Sequence, residues 1–141
     1  MVSKFNIRVY GILEMDNKIL LTEEKIRGRQ IIKFPGGGLE LGESLVDCLK
    51  REFQEELKVD IIVKNHFYTT DFFVQSAFDD SQVISIYFWV DLMDEQALNE
   101  LPQTENLYFK WEEKDKINAD LLSLIIDKKV ADLLHLHYKH N

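Results

Sequence analysis

A glycine-rich turn that runs directly into an acidic, amphipathic helix is the feature that most constrains this chain. Residues 37–59 read GGLELGESLVDCLKREFQEELKV. Apolar residues recur every four positions and predict one buried helical face: Leu45, Leu49, Phe53 and Leu57. Glu52, Glu55 and Glu56 are separated by three and four positions and therefore share a second face. The helix is thus predicted to pack against a core while it presents three carboxylates to a cleft.

Carboxylates packed this closely repel one another unless a cation lies among them. Hard cations such as Mg²⁺ take oxygen ligands and leave positions for water and for substrate phosphates. The three glutamates therefore predict a metal-dependent phosphate site.

The local order of elements around this site is strand, tight loop, helix. Pro35 biases the residue before it toward extended backbone. The glycines that follow permit backbone angles that side chains would forbid. Ser44 followed by Asp47 fits a capping box, which predicts that the helix begins near Leu45.

Strand-like segments surround this one helix. Residues 5–13 and 18–22 are predicted to form a hairpin that turns at Asp16 and Asn17. Further strands are predicted at 31–34, 60–63, 67–74, 82–91 and 107–111, and a second helix at 120–138. This mixture indicates an α/β or α+β sandwich, and it leaves the two alternatives open.

The stretch resembles the Nudix box, G-x5-E-x7-R-E-U-x-E-E-x-G-U, in which U is a bulky apolar residue. The matching positions are Gly37, Glu43, Arg51, Glu52, Phe53, Glu55, Glu56 and Val59. Lys58 stands where the family has glycine. That glycine usually closes the helix in a left-handed turn, which lysine adopts at a cost of roughly 1 kcal/mol.

The resemblance implies an α/β fold, the Nudix-type α/β/α sandwich with a mixed sheet, as one Nudix hydrolase domain over residues 1–141. It also implies hydrolysis of a pyrophosphate bond in a nucleoside diphosphate linked to another moiety. Mg²⁺, with Mn²⁺ as an alternative, would be held by Glu52, Glu55, Glu56 and the carbonyl of Gly37.

The other site residues follow from the same resemblance. Glu55 and Glu105 are both candidates for the general base, and Glu105 stands six positions before Trp111. Arg51 is expected to orient a box glutamate, and Glu43 to support the loop before the helix. The choice of base stays open, and three further glutamates compete with Glu105: Glu100, Glu112 and Glu113.

Substrate recognition is less constrained by the sequence. Arg27 and Arg29, within a basic run before the glycines, are candidates for contact with substrate phosphates. The substrate could be a nucleoside triphosphate or another nucleoside diphosphate derivative, and the sequence leaves both alternatives open. A Nudix-fold sensor that binds a nucleotide without turnover is the alternative to an enzyme. Such modules commonly lose box glutamates, whereas this chain retains all four and Arg51, which favours the hydrolase.

Overall composition fits a single domain of 141 residues. The net charge of −8, from 25 acidic and 17 basic residues, argues against a nucleic-acid polymer as partner. It is compatible with a small nucleotide-type substrate only if metal ions and local basic residues offset the charge. One cysteine, Cys48, fits a reducing cytoplasm. The sequence shows neither a signal-peptide pattern nor an apolar run long enough to span a membrane, so no membrane location is predicted. A homodimer would cover exposed strand edges.

Overall fold

Seven strands and two α-helices make up the described chain in this computed structural model, which describes residues 1–100 and 106–140. The strands are β1 (Lys4–Met15), β2 (Lys18–Ile26), β3 (Arg29–Lys33), β4 (Gly36–Gly38), β5 (Ile61–Thr69), β6 (Ser81–Leu92) and β7 (Leu107–Glu113). The helices are α1 (Leu45–Leu57) and α2 (Ile125–Lys139), with short 3-10 helices at Glu95–Glu100, Lys114–Lys116 and Ala119–Leu121.

The strands form one mixed sheet. Its main order is β3-β2-β1-β6-β5, with β4 paired to β1 and β7 paired to β2. β1 and β6 run parallel from the pair Lys4–Ser81 to the pair Leu13–Val90, and the other strand pairs are antiparallel. The two halves of the sheet are therefore joined by a long parallel pairing between strands that are distant in the sequence.

A helix covers each face of the sheet, so the predicted α/β/α sandwich is confirmed. Val9 and Leu13 of β1 pack with α1, whereas Tyr10 and Ile12 pack with α2. This alternation follows from the two-residue period of a strand. Neither helix of the described chain has the length and apolar character that crossing a bilayer requires.

The hairpin predicted at Asp16 and Asn17 is confirmed. Both residues have positive φ angles, 52° and 64°, as a two-residue type I′ turn requires. Met15 pairs with Lys18 directly across this turn. Local turn chemistry thus fixes the register between the first two strands.

The predicted tight glycine loop is wrong in one respect, because its glycines form the short strand β4. The backbone of residues 36–38 pairs with residues 8–10 of β1. Gly36 has φ 148°, and a Cβ there would collide with the carbonyl oxygen of Val9. The glycines therefore let two backbones approach as a ladder while the chain turns toward α1.

The separate strands predicted at 60–63 and 67–74 are also wrong. β5 is continuous through this region, and its pairing with β6 shifts register twice between Val63 and Tyr68. Beyond Thr69 the chain is irregular, and a lone bridge joins Gln75 to Gln82. The hydroxyl of Tyr68 donates to Asp71, a local bond that accompanies this change of direction.

The second helix was predicted to begin at residue 120, but it begins at Ile125. The Asn118 side chain accepts a hydrogen bond from the Asp120 amide and caps the 3-10 turn there. Ser123 then exchanges two hydrogen bonds with the backbone of Ile32 on β3. These contacts hold residues 122–124 extended and delay the start of α2.

Candidate active site

Helix α1 has defined ends at Ser44 and Lys58. The hydroxyl of Ser44 accepts from the Asp47 amide at 3.1 Å, which confirms the predicted N-cap. Lys58 adopts the left-handed conformation, with φ 60° and ψ 35°, although it replaces the usual glycine. Its Nζ donates to the Glu55 carbonyl at 3.0 Å, a bond that offsets part of the cost of this conformation.

Arg51 joins the loop to the helix through a set of charge-assisted hydrogen bonds. Its Nε and Nη2 donate to the two oxygens of Glu43 at 3.0 and 2.8 Å, a bidentate pair. Nη2 also donates to the Gly38 carbonyl, and Nη1 donates to Glu52 at 2.9 Å and Glu55 at 3.2 Å. Hydrogen bonds from Arg51, and then from the Glu40 amide, lower the pKa of Glu43 to about 2.

Gly37 lies directly against the carboxyl group of Glu52. A Cβ at position 37 would overlap that carboxyl group. The Glu52 side chain is only 13% exposed, so the glycine backbone forms part of its wall. Gly37 is therefore required by close approach, and its carbonyl belongs to the same small region as the carboxylates.

Glu56 is largely buried and lies within electrostatic reach of a buried lysine. Burial raises the pKa of Glu56 to about 7, against an opposing effect from Lys33 and with a further increase from Glu52. Glu56 Oε2 is buried and has no hydrogen-bond partner among the described residues. Lys33 is 3% exposed, and its Nζ lies 3.5 Å from Oε1 of Glu24. A buried carboxylate oxygen without a donor is costly for the fold and suits a bound cation.

The three carboxylates do not converge in this conformation. Among the described residues, no group of three His, Cys, Asp or Glu side chains is close enough to hold a metal ion. Arg51 binds Glu52 and Glu55, whereas Glu56 is influenced electrostatically by Lys33. The donor set is nevertheless all oxygen, and Glu56 Oε2 is buried without a hydrogen-bond partner within residues 1–100 and 106–140. These features fit a hard divalent cation.

A cavity of about 510 Å³ adjoins the box. Paired residues of the parallel strands form its floor: Asn6 with Val83, Arg8 with Ser85, and Tyr10 with Tyr87. Its walls are residues 74–79, residues 123–127 and the turn between β2 and β3. β1, which forms part of this floor, also pairs with the glycines of β4. The floor of the cavity is therefore adjacent to the glycines of the box.

The cavity is electropositive although the whole chain is acidic. Four cationic side chains line it, against the two carboxylates of Asp79 and Asp127: Arg8, Arg27, Arg29 and Lys33. Burial alone lowers the pKa values of Arg8 and Lys33, but Tyr10 and the box glutamates raise both above their ordinary values. The two side chains therefore remain charged, and the cavity suits an anionic ligand.

The model of the NUDIX domain matches residues 4–133 of the chain. The chain belongs to the Nudix family.

One curated relative and two solved structures are similar to this chain. An mRNA-decapping protein of Fowlpox virus (strain NVSL) is 35% identical over 106 residues, which cover 72% of this chain. The chain spans 47% of the length of that relative. A NUDIX hydrolase from Nitrosomonas europaea has a TM-score of 0.73 at 22% identity, covering 96% of this chain and 90% of its own. The MutT protein from Methanosarcina mazei Go1 has a TM-score of 0.75 at 17% identity, covering 100% and 99%. At these identities the two structures show the shared fold.

Arg27 and Arg29, predicted to contact phosphates, both line the cavity of this Nudix domain. Arg27 has φ 49° and donates to the Phe78 carbonyl. The Arg29 guanidinium lies 5.6 Å from the centre of the Phe78 ring. Both side chains therefore also hold the wall at residues 74–79, and a contact with phosphate stays a prediction.

Two cavity residues were missed by the sequence reasoning. Arg8 is a charged residue within the apolar strand pattern of residues 5–13. Asp127 lies on the buried face of α2 with Val130, Ala131 and Leu134. A charge at an apolar position of the helical period was the available signal in the second case.

Glu105, the predicted second candidate for the general base, lies outside the described residues. The strand that follows it is confirmed as β7, and Trp111 pairs with Leu20 of β2. Glu55 is described, and its side chain is 58% exposed and 3.2 Å from Arg51. The choice between the two glutamates stays open.

Proposed function

We propose that this Nudix domain hydrolyses a pyrophosphate bond in a nucleoside diphosphate linked to another moiety, and that it requires Mg²⁺. Membership of the Nudix family supports hydrolysis in general. The observation that carries the proposal is the Arg51 network, which holds Glu43 and Glu52 against the glycine strand beside a cationic cavity.

Glu52, Glu55, Glu56 and the Gly37 carbonyl would hold the divalent ion. When bound, such an ion neutralises phosphate charge and lowers the pKa of a coordinated water. Two observations support this assignment: a buried oxygen of Glu56 has no hydrogen-bond partner among the residues described, and Gly37 lies in close contact with Glu52. Mn²⁺ would suit the same oxygen ligands.

The chain's own side chains would orient the substrate and accept the proton. Arg8 and Lys33 would face substrate phosphates, because both remain cationic beside the box. Glu55, the most exposed of the three helix carboxylates, would accept a proton from the attacking water at a carboxylate oxygen. Glu105 is the alternative acceptor. Arg51 would act by fixing the directions of Glu43, Glu52 and Glu55.

The test is a phosphate- and pyrophosphate-release assay over nucleoside triphosphates, nucleotide sugars and dinucleotides with Mg²⁺. We expect Glu56→Gln to lower kcat/KM for the best substrate by about 10- to 100-fold, the loss that is typical when a group of a metal site is removed. Asp91→Asn is the matched control, since that carboxylate is exposed and makes a long 3.8 Å ion pair with Lys64. Equal rates for wild type and Glu56→Gln would contradict the proposal.

Binding across the panel without turnover would instead favour the sensor alternative. The same panel separates the two functions, because a sensor would bind nucleotides with Mg²⁺ present and release no product. Retention of all four box glutamates favours the hydrolase.

Capped RNA is a second candidate substrate. The 35%-identical relative is described as an mRNA-decapping protein, and a cap also contains a nucleoside linked through phosphates. A short capped oligonucleotide belongs in the panel beside a free cap dinucleotide. Faster cleavage of the oligonucleotide would overturn our prediction that no nucleic-acid polymer is a partner. The cytoplasmic location and the homodimer likewise remain proposals.

A further inference from the structure

Gly11 leaves a gap in β1, on the face of the sheet that α1 covers. The residue is buried, and its φ angle lies outside the left-handed region, so an alanine would meet no backbone strain there. The space around it is the constraint. A Cβ at this position would lie 2.8 Å from Cε1 and Cζ of the Phe53 ring and 3.2 Å from Cγ1 of Val90. Glycine is therefore required at position 11 by the close approach of a side chain of the box helix.

The Phe53 ring has no room to withdraw by itself. It is fully buried in the core beneath α1, together with Val9, Leu13 and Leu49. Such an interior is close-packed and has few voids. Carbon atoms that are not bonded pack at about 3.5–4.0 Å, so a methyl group at Gly11 would require the ring to retreat by roughly 0.7 Å. Because its neighbours enclose the ring, we expect the helix that carries it to move away from the sheet.

The glycine strand of the box is fixed to the same stretch of β1. Gly37 of β4 pairs with Val9, which lies two residues before Gly11 and on the same face of the sheet. The carbonyl of Pro35, just before β4, accepts a hydrogen bond from the Gly11 amide at 2.9 Å. The position of β4 is therefore set by β1, and a shift of α1 would change the distance between the helix and the glycines.

The carboxylates of the box are carried by the helix. Glu52 stands directly before Phe53 in the chain. Its carboxyl group lies so close to Gly37 that a Cβ on that glycine would be 2.4 Å from Glu52 Cδ. The height of α1 above the sheet sets this contact, and the ring seated on Gly11 sets the height.

We propose that Gly11 is a positioning residue of the box: the gap that it leaves in β1 receives the Phe53 ring, fixes the distance between α1 and the sheet, and so places the α1 carboxylates against the glycine strand. Gly11 has no side chain to offer a ligand, and it acts through the Phe53 ring. The inference rests on the proposed function for the role of those carboxylates as ligands of a divalent ion. It goes beyond that function in naming a residue outside the box on which their placement depends.

Binding of Mn²⁺ without nucleotide is the first measurement, with the free ion counted by electron paramagnetic resonance. We expect Gly11→Ala to weaken Mn²⁺ binding about tenfold or more, because loss of the groups that orient metal ligands costs roughly 10- to 100-fold. Ala131→Val is the matched control, since Ala131 is fully buried in the core on the other face of the sheet. Overfilling that core should lower Tm and leave the Mn²⁺ affinity within about twofold of wild type. Wild-type affinity in Gly11→Ala, or an equal loss in both variants, would contradict the inference.

A second substitution should restore the fit. Leucine at position 53 lacks the ring atoms that the new methyl group would meet, so Gly11→Ala combined with Phe53→Leu fills the gap again. We expect this double variant to recover the Mn²⁺ affinity to within about threefold of wild type, even where Gly11→Ala alone is too unstable to measure. Phe53→Leu alone leaves a void and should lower Tm while it weakens Mn²⁺ binding less than Gly11→Ala. A double variant that fails to fold, or that stays about tenfold or more below wild type in affinity, would contradict the inference.

Cys48 reports the position of α1 without metal or nucleotide. It is the single cysteine of the chain, and its buried thiol donates to the Gly38 carbonyl at 3.5 Å. We expect thiol labelling of the native protein to be about tenfold or more faster in Gly11→Ala than in Ala131→Val, because the helix opens locally, and to be slow again in the double variant. Equal labelling rates in the two single variants would overturn the inference. If wild type bound no Mn²⁺ and hydrolysed no nucleotide, only the proposed function would fail, since the labelling comparison still decides whether Gly11 places the helix.

Discussion

The box and the cavity beside it both hold several charged side chains, but they satisfy those charges differently. In the box, Arg51 bonds to Glu43, Glu52 and Glu55, so each of these carboxylates has a charged partner while the cluster as a whole stays net negative. In the cavity, one carboxylate oxygen of Asp127 has no hydrogen-bond partner in the part of the chain that the structure describes. The box contacts therefore set the shape of the loop and helix, whereas in the cavity the second carboxylate oxygen of Asp127 can accept a donor from a ligand. Glu56 combines the two situations. It belongs to the box helix, and its Oε2 is buried without a hydrogen-bond partner among the described residues.

The largest effect is expected from Gly37→Ala, which tests whether the box depends on close approach. The added methyl would overlap the Glu52 carboxyl group, and misplacement of a catalytic group by about 1 Å can cost roughly 100-fold in rate. We expect kcat/KM to fall about 100-fold, measured by product release with Mg²⁺. Gly38→Ala is the control, since a Cβ there meets only the Arg8 guanidinium at an ordinary 3.5 Å. Similar losses in both variants would contradict this account.

The same contrast explains what could be predicted from the sequence. The box is local: the N-cap at Ser44 and the spacing of its glutamates lie within about twenty residues, so side-chain periodicity identifies it. The cavity is assembled from separate segments whose contact depends on the pairing of β1 with β6. Nothing local to Arg8 or Asp127 specifies that register. The segment after Thr69 was mispredicted for a related reason, because Val74 lines a cavity wall while Phe72 and Phe73 are exposed, so its apolar residues do not continue a strand.

Replacing each of two arginines by methionine would sharpen the contrast in stability. Arg51→Met leaves Glu43 and Glu52 without their cation, and we expect it to lower the free energy of unfolding by about 2 kcal/mol. Arg8→Met removes one bond to the Tyr10 hydroxyl and also relieves repulsion from Lys33. We therefore expect a loss below about 1 kcal/mol with a higher KM. Urea unfolding and steady-state kinetics measure both effects. The comparison fails if Arg8→Met is the more destabilising variant.

A pH series with Glu43→Gln tests the charge balance of the box. The folded-state pKa of Glu43 is about 2, below its ordinary value of 4.5. The ionised carboxylate therefore stabilises the fold fully above about pH 4.5, and this contribution is lost as the pH falls toward 2. We expect wild type to have the higher Tm at pH 7, with the difference from Glu43→Gln shrinking through that range. A Tm difference that is constant from pH 7 to the acid limit of folding would show that Arg51 does not hold this charge.

The smallest effect is expected at Lys58, where the box departs from its family. Lysine in the left-handed conformation costs roughly 1 kcal/mol, and glycine at position 58 removes that cost. Two effects of the glycine oppose this gain: the Nζ bond to the Glu55 carbonyl is lost, and the unfolded chain gains conformational entropy. We expect Lys58→Gly to raise the free energy of unfolding by about 0.5 kcal/mol, and Lys58→Ala to lower it by a similar amount because it keeps the strain without the bond. Urea unfolding of the two variants side by side measures the difference. Lys58 does not line the cavity, and its Nζ binds a backbone carbonyl and not a box carboxylate. We therefore expect kcat/KM to stay within about twofold of wild type. A loss of stability in Lys58→Gly would mean that the lysine bond, and not the backbone angle, controls how the box helix ends.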